Sequence, residues 1–258
     1  MHIQVPANHP RAESLRLREK IIQYRNQQVV ADAGLIAHGR GEAFDYLLGE
    51  ETIPPARKAT TVAAAQLLLA RKPVISVNGN AAALVSEELV NLASAACAEL
   101  EVNLFYRTGE RMEAVASLLR EAGAKKILGL DSAQARTIPE LSSERRIVDS
   151  TGIFAADVVF VPLEDGDRTE ALRNLGKIVI ATDLNPISRT SRYASITIVD
   201  NIIRVIPNMI AEVKNLKLES REKLNQLVLN YDNISVLSET LTFVEGRLSD
   251  LAGKALTE

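Results

Sequence analysis

The 258-residue sequence has one cysteine, three histidines and no tryptophan, and aromatic residues make up only 4% of it. Cys97 has no partner for an internal disulfide, which predicts a reducing, cytoplasmic location, and its alanine-rich surroundings predict a small buried hydrophobe. One cysteine and three histidines also argue against a His/Cys metal site. The low aromatic content argues against a stacking platform for single-stranded nucleic acid.

Neither sign of charge is in large excess, and no apolar run is long. Lys and Arg number 30 against 33 Asp and Glu, for a formal net charge of −3, and 47% of residues are hydrophobic. We therefore expect a soluble globular protein of one large domain, with or without an extra helical segment, and neither nucleic acid nor membrane as a partner. The stretch VAAAQLLLA is too short to span a bilayer, and the N-terminus lacks a signal-peptide core.

Hydrophobic periodicity divides the chain into three regions. Residues 1–72 have helical spacing and are predicted to pack as a helical region on the core. Residues 73–201 alternate short apolar runs with amphipathic stretches, which predicts a Rossmann-like, doubly wound parallel α/β sheet. Residues 202–258 return to helical spacing, and the apolar seam of the last helix is either a dimerisation arm or ordinary packing. The predicted strands are 73–77, 101–105, 125–130, 157–161, 177–181 and 195–199.

Polar residues follow five of the predicted strands. In an open parallel sheet the carboxyl ends of the strands meet in one crevice, where helix N-termini and loops bind ligands. The pattern is what a polar, phosphate-bearing ligand requires, although single residues such as Asn80, Asp167 and Asp200 are explained equally well as helix N-caps. The strand-end residues are Asn78, Asn80, Tyr106, Arg107, Asp165, Asp167, Arg168, Asp183, Asn185, Arg189, Thr190, Asp200 and Asn201.

Arginines near the strand ends are harder to explain as caps. The guanidinium forks of Arg107, Arg168 and Arg189 suit a phosphate or a carboxylate, with ion pairs to nearby acids as the alternative. Two glycines flank Arg40, and because glycine is costly in a helix they indicate a close approach of backbone and guanidinium to a ligand.

The first predicted helix carries a stripe of basic residues. Arg11, Arg18 and Arg25 recur every seven residues and so lie on one face, which either borders a ligand or is a solvated edge.

Several known motifs are missing. The sequence has no G-x-x-x-x-G-K-[ST] loop, no three-glycine dinucleotide fingerprint and no G-x-S-x-G elbow. A Walker-type kinase and an ordinary dinucleotide dehydrogenase are therefore disfavoured. Carboxylates near a phosphate can still hold Mg²⁺, and Asp165, Asp167 and Asp183 are the nearest candidates.

Six long strings carry a family resemblance. They are HPRAESLRLREK, GLIAHGRGEAFDYLLGE, PVISVNGNAAALV, LEVNLFYRTGER, DVVFVPLEDGDRTEAL and ATDLNPISRTSRYASITIVDN, and together they span roughly residues 5–205. They resemble the archaeal 4-phosphopantoate–β-alanine ligases, also called phosphopantothenate synthetases. The resemblance implies a homodimeric enzyme with a Rossmann-like core. It would make 4′-phosphopantothenate, for coenzyme A, from 4-phosphopantoate, β-alanine and ATP, releasing AMP and pyrophosphate.

The resemblance also implies roles for individual residues. ATP contacts fall on Arg18, Arg40, Asp183, Leu184, Asn185, Arg189, Thr190, Asp200 and Asn201. The residues expected to assist the chemistry are Arg40, Arg189 and Asn80, and those expected to hold the acid substrates are His38, Asn78, Asn103, Tyr106 and Arg107. Mg²⁺ is expected, with Asp165 and Asp167 as candidate ligands.

Several alternatives stay open at this point. The activated acid is either an acyl-adenylate or an acyl-phosphate, and the group that deprotonates β-alanine is not identified. A non-catalytic nucleotide or metabolite sensor and a phosphotransferase without a Walker loop are the rival functions.

Overall fold

Helices at both ends of the chain enclose a central sheet in the computed structural model, which describes residues 6, 8, 9, 11–163 and 165–255. The helices are α1 (Ala12–Asn26), α2 (Asp32–Leu48), α3 (Pro54–Leu69), α4 (Gly79–Ala96), α5 (Gly109–Glu121), α6 (Gly166–Asn174), α7 (Arg189–Tyr193), α8 (Ile202–Leu216), α9 (Arg221–Leu229) and α10 (Asn233–Ala255). The strands are β1 (Pro73–Val77), β2 (Glu99–Val102), β3 (Ala135–Thr137), β4 (Ile147–Asp149), β5 (Val158–Pro162), β6 (Ile178–Thr182) and β7 (Ile196–Ile198).

The central sheet has five parallel strands in the order β2-β1-β5-β6-β7. Strands β1 and β5 are buried at every residue, because helices cover both faces of the sheet. From β1 the chain moves outward to β2 and later returns to β5 on the other side. The strand order therefore reverses between β1 and β5, the place where α/β sheets open a ligand crevice. The predicted α/β fold with a parallel sheet is confirmed.

One predicted strand is wrong, and one small sheet was missed. Within residues 125–130 only Leu128 forms a bridge, to Glu101 of β2. Gly129 next to it has φ +85°, and a Cβ there would lie 2.6 Å from the Val102 carbonyl oxygen, so the extended run ends. Strands β3 and β4 pair antiparallel over three residues each, which is too short for a periodicity signal.

Cys97 is also not where the sequence predicted it. It ends α4 with φ 54°, a left-handed conformation, and its side chain is exposed rather than buried.

The terminal helices share a core with the sheet. Helix α3 packs against α8 and α9, and its Ala59, Ala63 and Ala64 are fully buried, which allows close helix contact. Helix α10 contacts α2 and α3, but Leu241 and Leu248 in its apolar seam remain 44% exposed. In the part of the chain that the structure describes, no helix is long and apolar enough to cross a membrane.

Candidate active site

A cavity of about 280 Å³ lies at the carboxyl ends of the central strands. Its walls come from α1, α2, the start of α4, the loops after β2, β5 and β6, and the start of α8. The structure brings together six of the thirteen residues that the sequence placed at strand ends. The predicted site residues lining it are His38, Arg40, Asn78, Asn80, Asp165, Asp183, Leu184, Asn185 and Asn201.

The start of α4 forms the floor of the cavity. Asn78 caps the helix by accepting a hydrogen bond from the Ala81 N–H at 3.0 Å, and its Nδ2 donates to the Pro162 carbonyl at 2.8 Å. A Cβ on Gly79 would lie 2.1 Å from the Val29 carbonyl oxygen, so only glycine fits there. The two contacts fix the helix N-terminus, whose first N–H groups have no partner within the helix.

Glu42 on α2 anchors the basic stripe of α1. Arg18 donates from Nε and Nη2 to the two Glu42 oxygens, both at 2.8 Å, and the Tyr46 hydroxyl donates to the same carboxylate. Burial alone would raise the pKa of Glu42, but the hydrogen bonds from Arg18 and Tyr46 more than offset it and hold the pKa at about 2. A carboxylate therefore holds the Arg18 side chain in place, although Arg18 itself is not among the residues that line the cavity.

The depressed pKa of Glu42 gives a stability prediction. A carboxyl group whose pKa falls on folding stabilises the protein above its unfolded pKa of 4.5, and that contribution is lost as pH falls toward about 2. Glu42→Gln should lower the free energy of unfolding at neutral pH by about 1–2 kcal/mol, and the deficit should shrink between these pH values. Urea unfolding of both proteins across this pH range measures it. A deficit that stays constant with pH would contradict the assignment.

A second ionic cluster closes the other side of the cavity. Arg204 of α8 donates from Nη2 to Asp45 at 2.5 Å and from Nε to Asp200 at 2.8 Å, and these two aspartates are 5% and 0% exposed. The Thr52 hydroxyl donates to Asp200 at 2.6 Å, and Asn201 Nδ2 donates to Asp45 at 2.8 Å. Burial raises the pKa of Asp200, and the Arg204 charge opposes that rise. The Asp200 side chain therefore holds Asn201 and α8 in place.

Asp183 and Arg40 both line the cavity, and their charges interact. Asp183 accepts hydrogen bonds from the Asn185 N–H at 2.9 Å and the Ser188 hydroxyl at 2.5 Å, and its burial raises its pKa while Arg40 lowers it. Arg40 itself makes no hydrogen bond or ion pair with any residue that the structure describes. Its guanidinium is available for a ligand.

The glycines beside Arg40 are not explained by protein contacts. A Cβ on Gly39 would meet no described atom within 4 Å, and on Gly41 the nearest is Leu184 Cδ1 at 3.4 Å.

Comparisons with known proteins identify the family of this chain. The sequence model of the phosphopantothenate/pantothenate synthetase family matches residues 55–247. The chain belongs to this family. A relative from Thermococcus kodakarensis is 52% identical over 255 residues, covering 98% of this chain and 97% of the relative. One from Methanosarcina mazei is 47% identical over 250 residues, covering 97% and 98%. Both relatives are named 4-phosphopantoate–β-alanine ligase, and the family resemblance seen in the sequence is confirmed.

Some predicted residues lie outside the main cavity of this synthetase. Arg189 pairs with Asp167 and, at 2.6 Å, with Glu170, which is the ion-pair alternative that its sequence position allowed. Arg107 donates to the Gly129 carbonyl at 2.7 Å and lines a separate cavity beside α5. Arg168 is 1% exposed and donates to the Ser76 hydroxyl at 2.9 Å.

Three further predicted residues of the synthetase are also absent from the cavity wall. The Asn103 side chain is fully buried and donates to the carbonyl of Ile147 at 2.9 Å. Thr190 is buried within α7, and Tyr106 is 53% exposed. The substrate and nucleotide roles of these residues stay predictions.

The synthetase offers no ready-made metal cage. In the described ranges, no group of three or more His, Cys, Asp or Glu side chains is placed to hold a metal ion. Asp165 Oδ2 lies 3.1 Å from Arg145 Nε, and Asp167 pairs with Arg189. Asp165 and Asp183 nevertheless line the cavity. One or two carboxylates beside substrate phosphates is the usual protein contribution to a Mg²⁺ site, so the donor set fits that ion.

The sequence missed three arginines that line the cavity of the synthetase: Arg111, Arg145 and Arg204. Arg204 stands four residues after Asp200, a helical spacing that signals an ion pair. Arg111 lies inside a quoted string, LEVNLFYRTGER, but nothing in its neighbours points to a ligand. Only the fold brings Arg145 to the cavity.

Proposed function

We propose that the protein is an ATP-dependent 4-phosphopantoate–β-alanine ligase of coenzyme A biosynthesis. It condenses 4-phosphopantoate with β-alanine to give 4′-phosphopantothenate, AMP and pyrophosphate. The observation that carries the proposal is the polar cavity at the point where the strand order reverses, lined by Arg40, Asp183 and Asn201. The relatives over nearly the whole chain bear the same name.

The proposed reaction has two steps. A carboxylate is inert toward an amine, so its oxygen first attacks the α-phosphorus of ATP, and pyrophosphate leaves with the electrons of the broken P–O bond. The β-alanine amine then attacks the acyl carbon, AMP leaves, and the amine loses a proton. Arg40, which lines the cavity, stabilises the charge that develops on the phosphates, and Arg18, which Glu42 holds in place, is expected to add to it. Bound Mg²⁺ would supply further charge neutralisation.

His38 is suited to accept the proton of the β-alanine ammonium group. It lines the cavity, and its buried Nε2 has no hydrogen-bond partner among the described residues. Burial lowers the pKa of His38 despite the nearby Glu42 charge, so the imidazole is neutral at neutral pH and its Nε2 can accept a proton.

We also propose that the enzyme is a cytoplasmic homodimer. The partly exposed apolar seam of α10, with Leu241, Leu248 and Leu251 at 44–45% exposure, supports a homodimer. The small charged substrates and the unpaired Cys97 support a cytoplasmic enzyme.

The reaction products test the proposal. The purified protein should form AMP and pyrophosphate in equal amounts, and only when ATP, 4-phosphopantoate and β-alanine are all present. Chromatography of the nucleotides with each substrate omitted in turn supplies the controls. Formation of ADP would instead indicate a phosphotransferase, and nucleotide binding without turnover would indicate a sensor.

A further inference from the structure

One buried carboxylate has no part in the reaction as described so far. Glu101 of β2 is 0% exposed and does not line the cavity. Burial raises the pKa of Glu101 to about 7, although two backbone N–H groups and the charge of Arg168 oppose the rise. Because a buried carboxylate is costly unless hydrogen bonds and charges compensate it, the groups that Glu101 contacts indicate its role.

The Glu101 carboxylate binds the backbone of the segment that helps to cover one face of the sheet. This segment, residues 131–156, contains β3 and β4, and its apolar side chains share a core with those of β1, β5 and β6. Glu101 Oε1 accepts a hydrogen bond from the Asp149 N–H at 2.9 Å, and Oε2 accepts one from the Ile153 N–H at 2.6 Å. A Cβ on Gly152 would collide with Oε2, so only glycine lets the turn come this close to the carboxylate.

Asn103 binds the same segment from the same face of the sheet. It stands two residues after Glu101, and side chains alternate along an extended strand, so both point to one side. The Asn103 side chain is fully buried, and its Nδ2 donates to the Ile147 carbonyl at 2.9 Å and to the Arg145 carbonyl at 3.3 Å. Two side chains at the edge of the sheet therefore hold four backbone groups of residues 145–153.

The segment contributes one residue to the cavity wall. Among residues 131–156, all of which the structure describes, only Arg145 lines the cavity. Arg145 is 7% exposed, and its Nε lies 3.1 Å from Oδ2 of Asp165, another residue of the cavity wall. Since Asn103 binds the Arg145 carbonyl and Glu101 binds the backbone just after it, these hydrogen bonds fix the backbone from which the guanidinium reaches the cavity.

We propose that Glu101 and Asn103 are positioning residues for the reaction: they hold the backbone of residues 145–153 and thereby place the Arg145 side chain in the wall of the active site. This inference rests on the proposed function, because it concerns the wall of that site. It gives Asn103 a role through the backbone, in place of the substrate contact expected from the sequence. In this arrangement neither side chain touches a substrate, so neither affects turnover once Arg145 has been removed.

A double-variant cycle tests the proposal, with kcat/KM measured for ATP, 4-phosphopantoate and β-alanine in turn. Arg145→Gln should lower at least one of the three constants by about 10- to 100-fold, the range expected when a hydrogen bond to a charged group is lost. Glu101→Gln, which turns an amide NH₂ toward one of the two N–H groups, and Asn103→Leu should each lower the same constants by at least about threefold. Added to Arg145→Gln, either should change them by less than about twofold, because residues that act through one group are not additive.

Lys177→Met is the matched control. Lys177 is 7% exposed, and its Nζ donates to the Phe154 and Ala156 carbonyls, both at 2.8 Å, so it holds the end of the same segment beyond the part that Glu101 binds. This variant should lose stability but keep all three kcat/KM values within about twofold of those of the unaltered protein. A fall like that of Glu101→Gln would mean that general loosening of the segment, and not misplacement of Arg145, is the cause, and would overturn the proposal.

Hydrogen exchange measures the hold on the backbone without turnover. Amide exchange followed by mass spectrometry should be at least about fivefold faster over residues 145–153 in Glu101→Gln and in Asn103→Leu. Additive losses in the cycle, full activity of Arg145→Gln or unchanged exchange in both variants would each overturn the proposal. If Glu101→Gln or Arg145→Gln does not fold, Asn103→Leu and Arg145→Lys take their places. Failure of the proposed function looks different, because the unaltered protein would then show no turnover, while exchange would still report whether the two side chains hold the segment.

Discussion

Arg204→Met is expected to lower the free energy of unfolding by about 3–5 kcal/mol, the cost of removing one partner from a buried ion cluster. Arg204 donates to both Asp45 and Asp200, which are almost completely buried. Methionine fills most of the volume, so the loss would come from two carboxylates left without a counter-charge rather than from a void. Urea unfolding followed by circular dichroism measures the change.

The pH dependence of the Arg204→Met deficit identifies its cause. Burial raises the pKa of Asp200 while Arg204 opposes the rise, so without Arg204 the pKa should rise further. A carboxyl group with a raised folded pKa binds more protons in the folded protein, and stability then falls as pH increases. The deficit should therefore shrink as pH drops from about 7 to about 5, and Asp200→Asn should recover part of it in the double variant. A deficit independent of pH would point to lost packing instead.

Arg71→Met is the matched control for this cluster. Arg71 also pairs with an aspartate, Asp157 at 3.5 Å, but its side chain is 89% exposed. Since solvent screens such a pair, the stability of this variant should stay within about 0.5 kcal/mol of the unaltered protein.

The sheet was predictable from sequence because its strands are buried on both faces. Continuous apolar runs such as PVISV and DVVFV have no helical period and are bounded by polar turns. The same rule failed for residues 125–130. This segment is apolar, but Gly129 within it has a positive φ, which ends the extended conformation. The apolar segments do not reveal the order of the strands in the sheet. That order determines where the crevice lies.

The lining of the cavity was predictable where a residue sits directly after a strand. Asn78, Asp183 and Asn201 follow strands and line the cavity. Arg189 also lies after a strand, but it pairs with Asp167 and Glu170 of the neighbouring helix α6. Arg111 and Arg145 were missed since they reach the cavity from a helix and a connecting segment, and no spacing along the chain records that approach.

Arg40→Ala is expected to lower kcat/KM for ATP by about 10²–10³, the cost of removing one pre-oriented group that stabilises developing charge. Thermal stability should change little, because Arg40 makes no hydrogen bond or ion pair with the described residues. Arg18→Ala should lose activity and stability together, since Arg18 also neutralises Glu42.

Two Arg40 variants and one control variant decide whether the loss is electrostatic. Arg40→Lys should recover part of kcat because it restores a positive charge without the bidentate fork. Arg136→Ala, at an exposed site that contacts only a neighbouring carbonyl, should leave kcat and KM unchanged. An Arg40→Ala protein with normal kcat and normal KM for ATP would remove Arg40 from the mechanism and leave Arg18 as the arginine at the phosphates. The separation matters physically: a guanidinium that makes no hydrogen bond or ion pair with the described residues contributes little to stability, so a large kinetic effect of its removal must come from the transition state.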